Sequence, residues 1–550
     1  MRKAIVAALL VLLASAAPAA AKKELVIGIS QFPNNFNPMI GSMLARSYIL
    51  GLTRRPITVY DADWKLICVL CTELPSLEKG TAKHITTDDG KPGIAITYTL
   101  RPNLYWGDKT PITTKDVLFT WKVGRNKIAG AGNYELFRRI FRIDVKDDRT
   151  FTLNVDKRTC DYEAINGFHL LPAHLEEKPF ADPKEYRKRT AYDTDTTNPG
   201  LWFGPYRITK VVGGSHVVLE RNPVWSGKKP VFDRITIRAI EKTSALTANL
   251  LSGSIDYIAG ELGLTLDQAL AFEKRHGKRY RFVYKPGLVY EHVDLNLDNP
   301  VLADRRVRHA LLHGLNREAI TEQLFAGQQP VAHGQVSPLD VMHNPDIPKY
   351  DYDPKRAKAL LREAGWTQQK KGILHNAAGK PLQLEFMTTA GNKSRELVQQ
   401  AMQSQWRQIG IDVRIRNQPP RVYFGQTVRR RKFTGMAKFA WLSAPRNIPL
   451  TTLHSSRIPS DGNGWSGQNY TGYNNPKMDK LIDDMQVVCE PGKNRALWNE
   501  MQVLYSTDLP VLPLYFRANA FILPHWLKGL RPTGHQYPST LWVENWRVEK

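Results

Sequence analysis

The stretch Leu100–Trp121, LRPNLYWGDKTPITTKDVLFTW, decides the fold of this chain. The residues just before it, Ile94–Leu100, are β-branched and aromatic with rough alternation, which predicts a half-buried strand. Gly107–Pro111 supplies turn residues, and Thr113 or Thr114 is placed to cap a helix. The stretch therefore predicts a strand, a turn-rich loop and a capped helix, in that order.

The amino terminus has the pattern of a secretory signal peptide. Two basic residues follow Met1, an apolar run extends from Ala4 to Leu13, and small residues end at Ala21. The apolar run is well short of the roughly 20 residues that span a bilayer, so we expect cleavage near Ala21 rather than anchoring. No other stretch is long and apolar enough either. The sequence predicts an exported, periplasmic protein with no integral membrane segment.

Length and composition predict a globular protein with more than one lobe. The chain has 550 residues, of which 42% are hydrophobic and 10% aromatic, and a single core is too small for that length. The formal net charge of +25 raises nucleic acid, an anionic membrane surface or an acidic ligand as partners. Nucleic acid is not expected for an exported protein whose Lys and Arg residues are spread along the chain. The one dense basic run, Arg429–Lys432, is typical of a solvated face.

The four cysteines allow three disulfide pairings, which export permits. Cys68 and Cys71 have the spacing of a redox or metal motif, but a second such pair is missing and the flanking residues are apolar. A local disulfide or two buried thiols are therefore favoured there. A bond between Cys160 and Cys489 is possible, and the sequence leaves it open.

The residues of Leu100–Trp121 form the pattern R-x-x-x-x-W-x-D-x-x-P-hydrophobic-T-x-x-D-V. This pattern closely resembles the signature of the family 5 solute-binding proteins, the peptide- and nickel-type receptors of bacterial ABC importers. Other stretches resemble the same family, in the family's order: Val217–Ser226, Leu250–Asp256, Asp304–Ile320, Asp351–Trp366 and Asp508–Tyr515.

Two regions of the second half of the chain also predict local structure. In Asp351–Trp366, Asp353 is expected to cap a helix that Pro354 begins and Gly365 ends. Tyr290–Leu297, YEHVDLNL, alternates in polarity and predicts a strand.

The resemblance implies an α/β fold: a two-lobed periplasmic binding protein of class II, cluster C type, with an extra domain inserted in lobe I. We expect the signal peptide at 1–21, lobe I at 22–52, 200–285 and 516–550, the inserted domain at 53–199, and lobe II at 286–515. The two crossings between the lobes would act as hinges, so that closure buries the ligand.

Catalytic motifs are missing from the sequence. It contains no G-x-S-x-G, no H-E-x-x-H, no G-x-x-x-x-G-K-[ST] and no complete EF-hand loop. The histidines are scattered without a ligand motif. We therefore expect neither an enzyme, nor a cofactor, nor a metal site.

The segment Gly435–Pro449 aligns with the cleft segment of the family, which runs W-x-x-D before one or two prolines. Trp441 falls on the tryptophan of that pattern. In the peptide-binding members, the aspartate pairs with the free amino group of the peptide, but here Ala444 stands in its place. An ammonium left unpaired in a closed cleft costs on the order of 3 to 5 kcal/mol. Either another acid replaces it, or the ligand carries no such amine.

Two cations flank this tryptophan. Lys438 stands where some members carry an arginine for a carboxylate, and Arg446 lies two residues beyond Ala444. They indicate an anionic or polyhydroxylated ligand or a peptide held differently, unless both side chains simply face water.

Further candidates for the ligand site come from three loops. Tyr134 follows Gly130 and Gly132 at a place from which peptide-binding relatives present a tyrosine to the ligand. Phe32 and Asn35 lie on the first loop, and Tyr470 and Tyr473 on a later one. Packing of the loops explains each of these five residues equally well.

The leading hypothesis is a periplasmic receptor that captures a peptide or peptide-like solute by hinged closure and delivers it to an ABC permease and its ATPase. We expect it to act as a monomer. The alternative within binding proteins is a receptor for a non-peptide anionic solute, such as an opine, an oligosaccharide or a metal chelate. Rivals from other classes are an exported hydrolase and a periplasmic chaperone or adhesion protein.

Overall fold

The structure is a computed structural model that describes residues 22–40, 43–129, 131, 133–419, 422–463, 465 and 467–549. The predicted signal peptide, residues 1–21, lies outside the described residues, and so do Gly130 and Gly132. Along the described ranges, no helix is both long enough and apolar enough to cross a membrane.

The strands that the described residues form are, in chain order, β1 to β20: Glu24–Ile29, Thr58–Tyr60, Leu66–Cys68, Ala82–Thr86, Pro92–Thr99, Ile140–Val145, Thr150–Val155, Tyr206–Val212, His216–Arg221, Arg234–Ala239, Tyr257–Ile258, Arg281–Leu295, Gln368–Lys370, Ile373–His375, Gln383–Met387, Asp412–Ile415, Met436–Trp441, Val511–Leu523, Leu527–Lys528 and Arg547–Val548.

The α-helices of the same residues are α1 to α16: Leu44–Thr53, Thr114–Gly124, Tyr134–Arg139, Ala173–Phe180, Tyr186–Arg189, Ala191–Thr194, Thr243–Leu251, Leu266–His276, Pro300–Ala303, Arg305–His313, Arg317–Phe325, Pro354–Glu363, Lys393–Gln408, Leu450–Leu453, Pro476–Val487 and Pro491–Asp508. Short 3-10 turns occur at Pro199–Leu201, Ser455–Arg457, Asp461–Asn463 and Ser539–Asn545, and a π-helix at Tyr423–Val428.

The stretch Leu100–Trp121 folds as predicted. Strand β5 precedes the loop, and helix α2 begins after Thr113, whose side chain accepts a hydrogen bond from the backbone of Lys115 at 3.3 Å. Asp116 completes a capping box, because its carboxylate accepts the backbone N–H of Thr113 at 3.0 Å. The same carboxylate accepts the indole N–H of Trp106 at 3.3 Å and the backbone N–H of Ala173 at 2.9 Å. One buried side chain thus joins loop, helix cap and a distant segment.

The helix predicted from Asp353 is present as α12. The Asp353 side chain accepts the backbone N–H of Arg356 at 2.9 Å, Pro354 is the first helical residue, and Gly365 follows the helix with φ +90°. Both helix caps were therefore predicted correctly from local sequence.

A ten-stranded mixed sheet runs through the molecule in the order β16-β15-β17-β12-β18-β11-β1-β10-β9-β8. Its centre is the antiparallel pair of long strands β12 and β18, with a register shift between Pro286 and Val289. The predicted lobe crossings, 285/286 and 515/516, both fall within these two strands. The exact limits of the lobes stay a prediction.

The described residues form five hydrophobic cores, of which the three largest flank this sheet. The first includes β1, α1 and the separate four-stranded sheet β4-β5-β7-β6 of residues 53–199. The second includes α7, α8, α10, α12 and α13. The third is formed mainly by α15 and α16. The two ends of the ten-stranded sheet pack against different cores, and the long strands β12 and β18 lie between them.

The four cysteines form two disulfides. Cys68 bonds to Cys71, and Cys160 bonds to Cys489, 329 residues away. The second bond links the segment after β7 to the turn between α15 and α16.

Candidate ligand-binding cleft

An aromatic cluster lies at the end of strand β17. The ring of Trp441 stacks on that of Tyr470 at 5.7 Å with an angle of 25° between the planes, and it meets Phe439 edge-on at 5.2 Å. His292 of β12 is parallel to Trp441 at 6.2 Å. Trp441 is only half-buried, so one part of its ring is accessible to a solute. We call Trp441, Tyr470, Phe439 and His292 the aromatic wall.

Two members of the aromatic wall are buried and two are half-buried. Burial raises the pKa of Tyr470 to about 12, so its hydroxyl stays protonated at neutral pH. Phe439 and His292 are almost fully buried. Phe439 and His292 thus form a buried backing for the two half-buried rings of Trp441 and Tyr470.

Lys438 does not face water. Its side chain is fully buried, and its Nζ lies 3.7 Å from Oε2 of Glu291. Burial lowers the pKa of Lys438 to about 8, and the charge of Glu291 acts against that shift. This lysine is therefore part of a buried charge cluster and does not lie on an open surface.

Glu291 is the centre of that cluster. Its Oε1 accepts hydrogen bonds from Arg395 at 2.9 and 3.2 Å and lies 3.8 Å from Nη1 of Arg517. Burial alone would raise the pKa of Glu291, but Arg395, Lys438 and Arg517 lower it below its ordinary value. One carboxylate faces three cations, so the cluster has an excess of positive charge.

Arg446 is exposed and lies near residues of the 53–199 segment. Its backbone N–H, at φ +56°, donates to Asp340 at 2.8 Å. Burial raises the pKa of Tyr60 to about 12, and the charge of Arg446 acts against that rise. Burial also raises the pKa of Glu163, again opposed by Arg446. Arg446 therefore reaches across from the predicted lobe II.

The segment around Ala444 touches the carboxyl-terminal part of the chain as well. The carbonyl of Ser443 accepts the backbone N–H of Gln536 at 3.2 Å. Ala444 itself is half-buried. The predicted cleft segment thus lies where the bodies meet.

Tyr134 lies at the first turn of α3 and is half-buried. The next residue, Glu135, faces Arg457 at 3.7 Å. Lys127 lies 5.9 Å from the ring of Tyr134. The structure therefore places Tyr134 beside a second contact between residues 53–199 and the predicted lobe II.

Phe32 and Asn35 lie elsewhere. They line a groove of about 650 Å³ whose lining residues all lie between 32 and 211, among them Arg187, Lys188 and Asp193. Asn35 accepts a hydrogen bond from Arg46 at 3.2 Å. None of the groove's lining residues belongs to the aromatic wall.

Tyr473 belongs to the third core rather than to the aromatic wall. It is buried, and its hydroxyl donates to Asp508 at 2.6 Å. The structure thus brings Trp441 and Tyr470 together with Lys438 behind them, and Arg446 at the edge. It gives Tyr473 a packing role.

Sequence reasoning missed Glu291, Arg395, Arg517 and His292. The signal for Glu291 and His292 was present, since polar residues inside the alternating strand Tyr290–Leu297 are either exposed or paired. Nothing local indicated their partners, because Arg395 comes from α13 and Arg517 from β18. Among the described residues, no three His, Cys, Asp or Glu side chains are grouped to hold a metal ion.

The molecule has two lobes joined by paired strands, and an aromatic residue lies half-buried where they meet. These features define the class of two-lobed solute-binding proteins. Residues 78–457 match the family described as Bacterial extracellular solute-binding proteins, family 5 Middle. The chain belongs to this family, and the fold class predicted from the resemblance is confirmed.

Relatives over nearly the whole chain agree. The chain is 24% identical to the oligopeptide-binding protein AppA of Bacillus subtilis, with 96% of this chain and 92% of that protein covered. It is 26% identical to the periplasmic oligopeptide-binding protein OppA of Salmonella typhimurium, with 82% of each chain covered.

Solved structures show the same fold. The oligopeptide-binding protein of Thermus thermophilus, complexed with a pentapeptide, has a TM-score of 0.82 and 30% identity over 96% of each chain. NikZ of Campylobacter jejuni, in complex with Ni(L-His), has a TM-score of 0.80 and 22% identity over 96% of this chain and 99% of that one. The similarity to NikZ supports the fold alone.

Proposed function

We propose that this protein is the substrate-binding receptor of an ABC importer and that it captures a peptide or peptide-like solute between its two lobes. Trp441 carries the proposal: it is half-exposed at the meeting point of the bodies, backed by the aromatic wall. Relatives named for oligopeptide binding, and a structural neighbour at 30% identity that holds a pentapeptide, support the peptide class.

Closure would follow from the two paired strands that join the bodies. The register shift between Pro286 and Val289 interrupts the regular pairing of β12 with β18. A bend in both strands at this level would separate the aromatic wall from residues 53–199. The closed form would then be stabilised by the bound solute.

The amino end of the solute is not held by a carboxylate at position 444. Glu291 does not substitute for that acid, because three cations already surround it. The solute therefore lacks a free amine, leaves its amine in contact with water, or pairs its amine with an acid other than Glu291. A blocked or carboxylate-bearing peptide satisfies this site better than an ordinary short peptide.

An acidic non-peptide solute is the second candidate. The positive excess around Glu291 and the exposed Arg446 favour it. Its binding would need Arg446 or the cluster to meet the anion at the edge of the aromatic wall.

Thermal unfolding separates these candidates. A solute at about 100 times its Kd adds roughly 2.7 kcal/mol of stability. We expect an amino-acetylated pentapeptide to raise the Tm more than its free-amine form does, because position 444 offers the amine no carboxylate. The peptide proposal fails if no peptide of two to nine residues raises it while an acidic non-peptide solute does.

Ala444→Asp tests the reasoning about the amine. Restoring the acid should make a free-amine pentapeptide bind about tenfold more tightly than its acetylated form, or about 1.4 kcal/mol. Ala440→Asp is not a suitable control because Ala440 pairs directly with Glu291; the exposed Leu442→Asp is the matched control and should show no such preference.

Family and relatives are binding proteins, and we propose that this chain leaves its solute unchanged. Incubation with the pentapeptide, followed by mass spectrometry, should return the intact peptide. We further propose that the protein is exported to the periplasm, acts as a monomer and delivers the solute to a permease with its ATPase. Cleavage products of the peptide would contradict the proposal that the solute is left unchanged. A dimer on size-exclusion chromatography would contradict the monomer.

A further inference from the structure

The disulfide Cys160–Cys489 joins two bodies that the main chain connects elsewhere. Cys160 follows strand β7, whose Phe151 and Leu153 are buried in the first core. Cys489 lies in the turn between α15 and α16, which form the third core with Met485 and Trp498. The continuous connection between the bodies runs through β12 and β18, so the disulfide is an additional covalent link.

The contacts that accompany this bond are polar, and they add to the Glu135–Arg457 pair, 3.7 Å apart, between the same parts of the chain. The backbone N–H of Cys160 donates to the carbonyl of Gln486 at 2.9 Å. Lys157 lies 3.8 Å from Asp483, with both side chains substantially exposed. Exposed ion pairs of this kind hold surfaces together poorly. The disulfide is therefore the one covalent restraint among the contacts described at this edge.

The geometry of a disulfide limits how far this edge can open. The Cα atoms of Cys160 and Cys489 are 5.0 Å apart, and bonded cysteines keep this distance below about 6.8 Å. The two attachment points can thus separate by only about 2 Å. A hinge motion that opens the cleft on this side needs a larger separation.

The disulfide lies at the surface on the Cys489 side. Cys489 is exposed and Cys160 half-buried. A thiolate of an external dithiol can attack Sγ of Cys489, which releases the thiolate of Cys160 and forms a mixed disulfide. The second thiol of the dithiol then displaces Cys489, so that both protein sulfurs become thiols and the dithiol is oxidised to a disulfide.

We propose that Cys160–Cys489 is a redox latch: the bonded form holds the receptor near its closed arrangement, and reduction by a dithiol permits wide opening and solute exchange. The latch rests on the hinged closure proposed above. Cys68–Cys71 has no such role, because both residues lie within 53–199 and are only three residues apart.

This difference supplies the matched control. We would compare the radius of gyration by small-angle X-ray scattering for the wild type, Cys160→Ser/Cys489→Ser and Cys68→Ser/Cys71→Ser, each shown by mass spectrometry to be free of solute. The measurement needs no ligand, so it stands even if the proposed solute is wrong. The latch variant should have a larger radius than the wild type, and the control variant should not.

Dithiothreitol gives a second test that does not depend on whether the latch variant folds. Added to Cys68→Ser/Cys71→Ser, it can reduce only Cys160–Cys489, and it should raise the radius of gyration to that of the latch variant. Equal radii before and after reduction, verified by thiol titration, would overturn the proposal. That outcome counts even if the latch variant fails to fold.

Discussion

Two tryptophans in family-like segments, Trp106 and Trp441, are used in opposite ways. Trp106 is fully buried, meets Phe203 edge-on at 4.9 Å and donates to Asp116. Trp441 is half-exposed and stacks on Tyr470. The first segment builds the scaffold, whereas we propose that the second presents a ring to the solute. Two segments that resemble the same family can therefore carry quite different functions.

The largest expected effect tests what supports the second segment. Glu291→Gln leaves the buried cations Arg395 and Lys438 without their charge partner. We expect the free energy of unfolding, measured with urea, to fall by about 3 to 5 kcal/mol.

A matched control for that change is available on the surface. Glu363→Gln removes an exposed partner of Arg356, 3.1 Å away, and should cost less than about 1 kcal/mol. A Glu291→Gln protein as stable as this control would show that the cluster does not support the cleft segment.

Asp116→Ala tests the first segment. It removes the acceptor of Trp106, Thr113 and Ala173, three buried or half-buried hydrogen bonds. We expect the free energy of unfolding to fall by about 3 to 4 kcal/mol, with an unchanged Kd for the solute. The exposed Asp148→Ala should change stability by less than about 0.5 kcal/mol. If the folded Asp116→Ala protein bound the solute more weakly, the first segment would not serve the scaffold alone.

Lys438 predicts a pH dependence. Burial lowers its pKa from 10.5 to about 8, so between pH 8 and 10.5 the unfolded chain binds more protons than the folded protein. Stability must then rise with pH over this window, by at most about 3 kcal/mol. Against Lys438→Met, the wild type should gain stability from pH 8 to 10 in urea unfolding. If the difference in the free energy of unfolding between the two proteins does not vary with pH, the lowered pKa of Lys438 is contradicted.

Trp441→Ala sharpens the comparison at the solute. Loss of the stacked ring should weaken solute binding by about 2 kcal/mol, or roughly 30-fold in Kd, while the Tm of the solute-free protein changes little. Isothermal titration with the solute found by thermal screening measures this. Leu442→Ala removes the next, exposed side chain and should leave Kd unchanged; equal losses in both variants would argue for a general disturbance of the strand end.

Much of the scaffold could be predicted because its determinants are close in sequence. Asp116 caps its own helix and binds Trp106 ten residues before it. Asp353, Pro354 and Gly365 define α12 by the same local rules. The fold class followed from several such segments in the order of a known family.

The site was less predictable because its contacts are distant. Lys438 was a candidate for a ligand's carboxylate, yet it is buried beside Glu291, which comes from another strand. Tyr473 lies in an Asn- and Gly-rich stretch that resembles a loop at a cleft, but its hydroxyl is bound to Asp508 of α16. The Cys160–Cys489 bond joins residues 329 apart. No local pattern encodes such pairings.

The central claim is that this receptor carries a peptide-like solute at the aromatic wall. Its most direct test is tandem mass spectrometry of the solute that leaves the protein after gentle purification and subsequent denaturation. We predict fragments separated by amide-bond cleavage, from a peptide whose amino end is blocked or which bears an acidic group. A bound solute without any peptide bond would contradict the account.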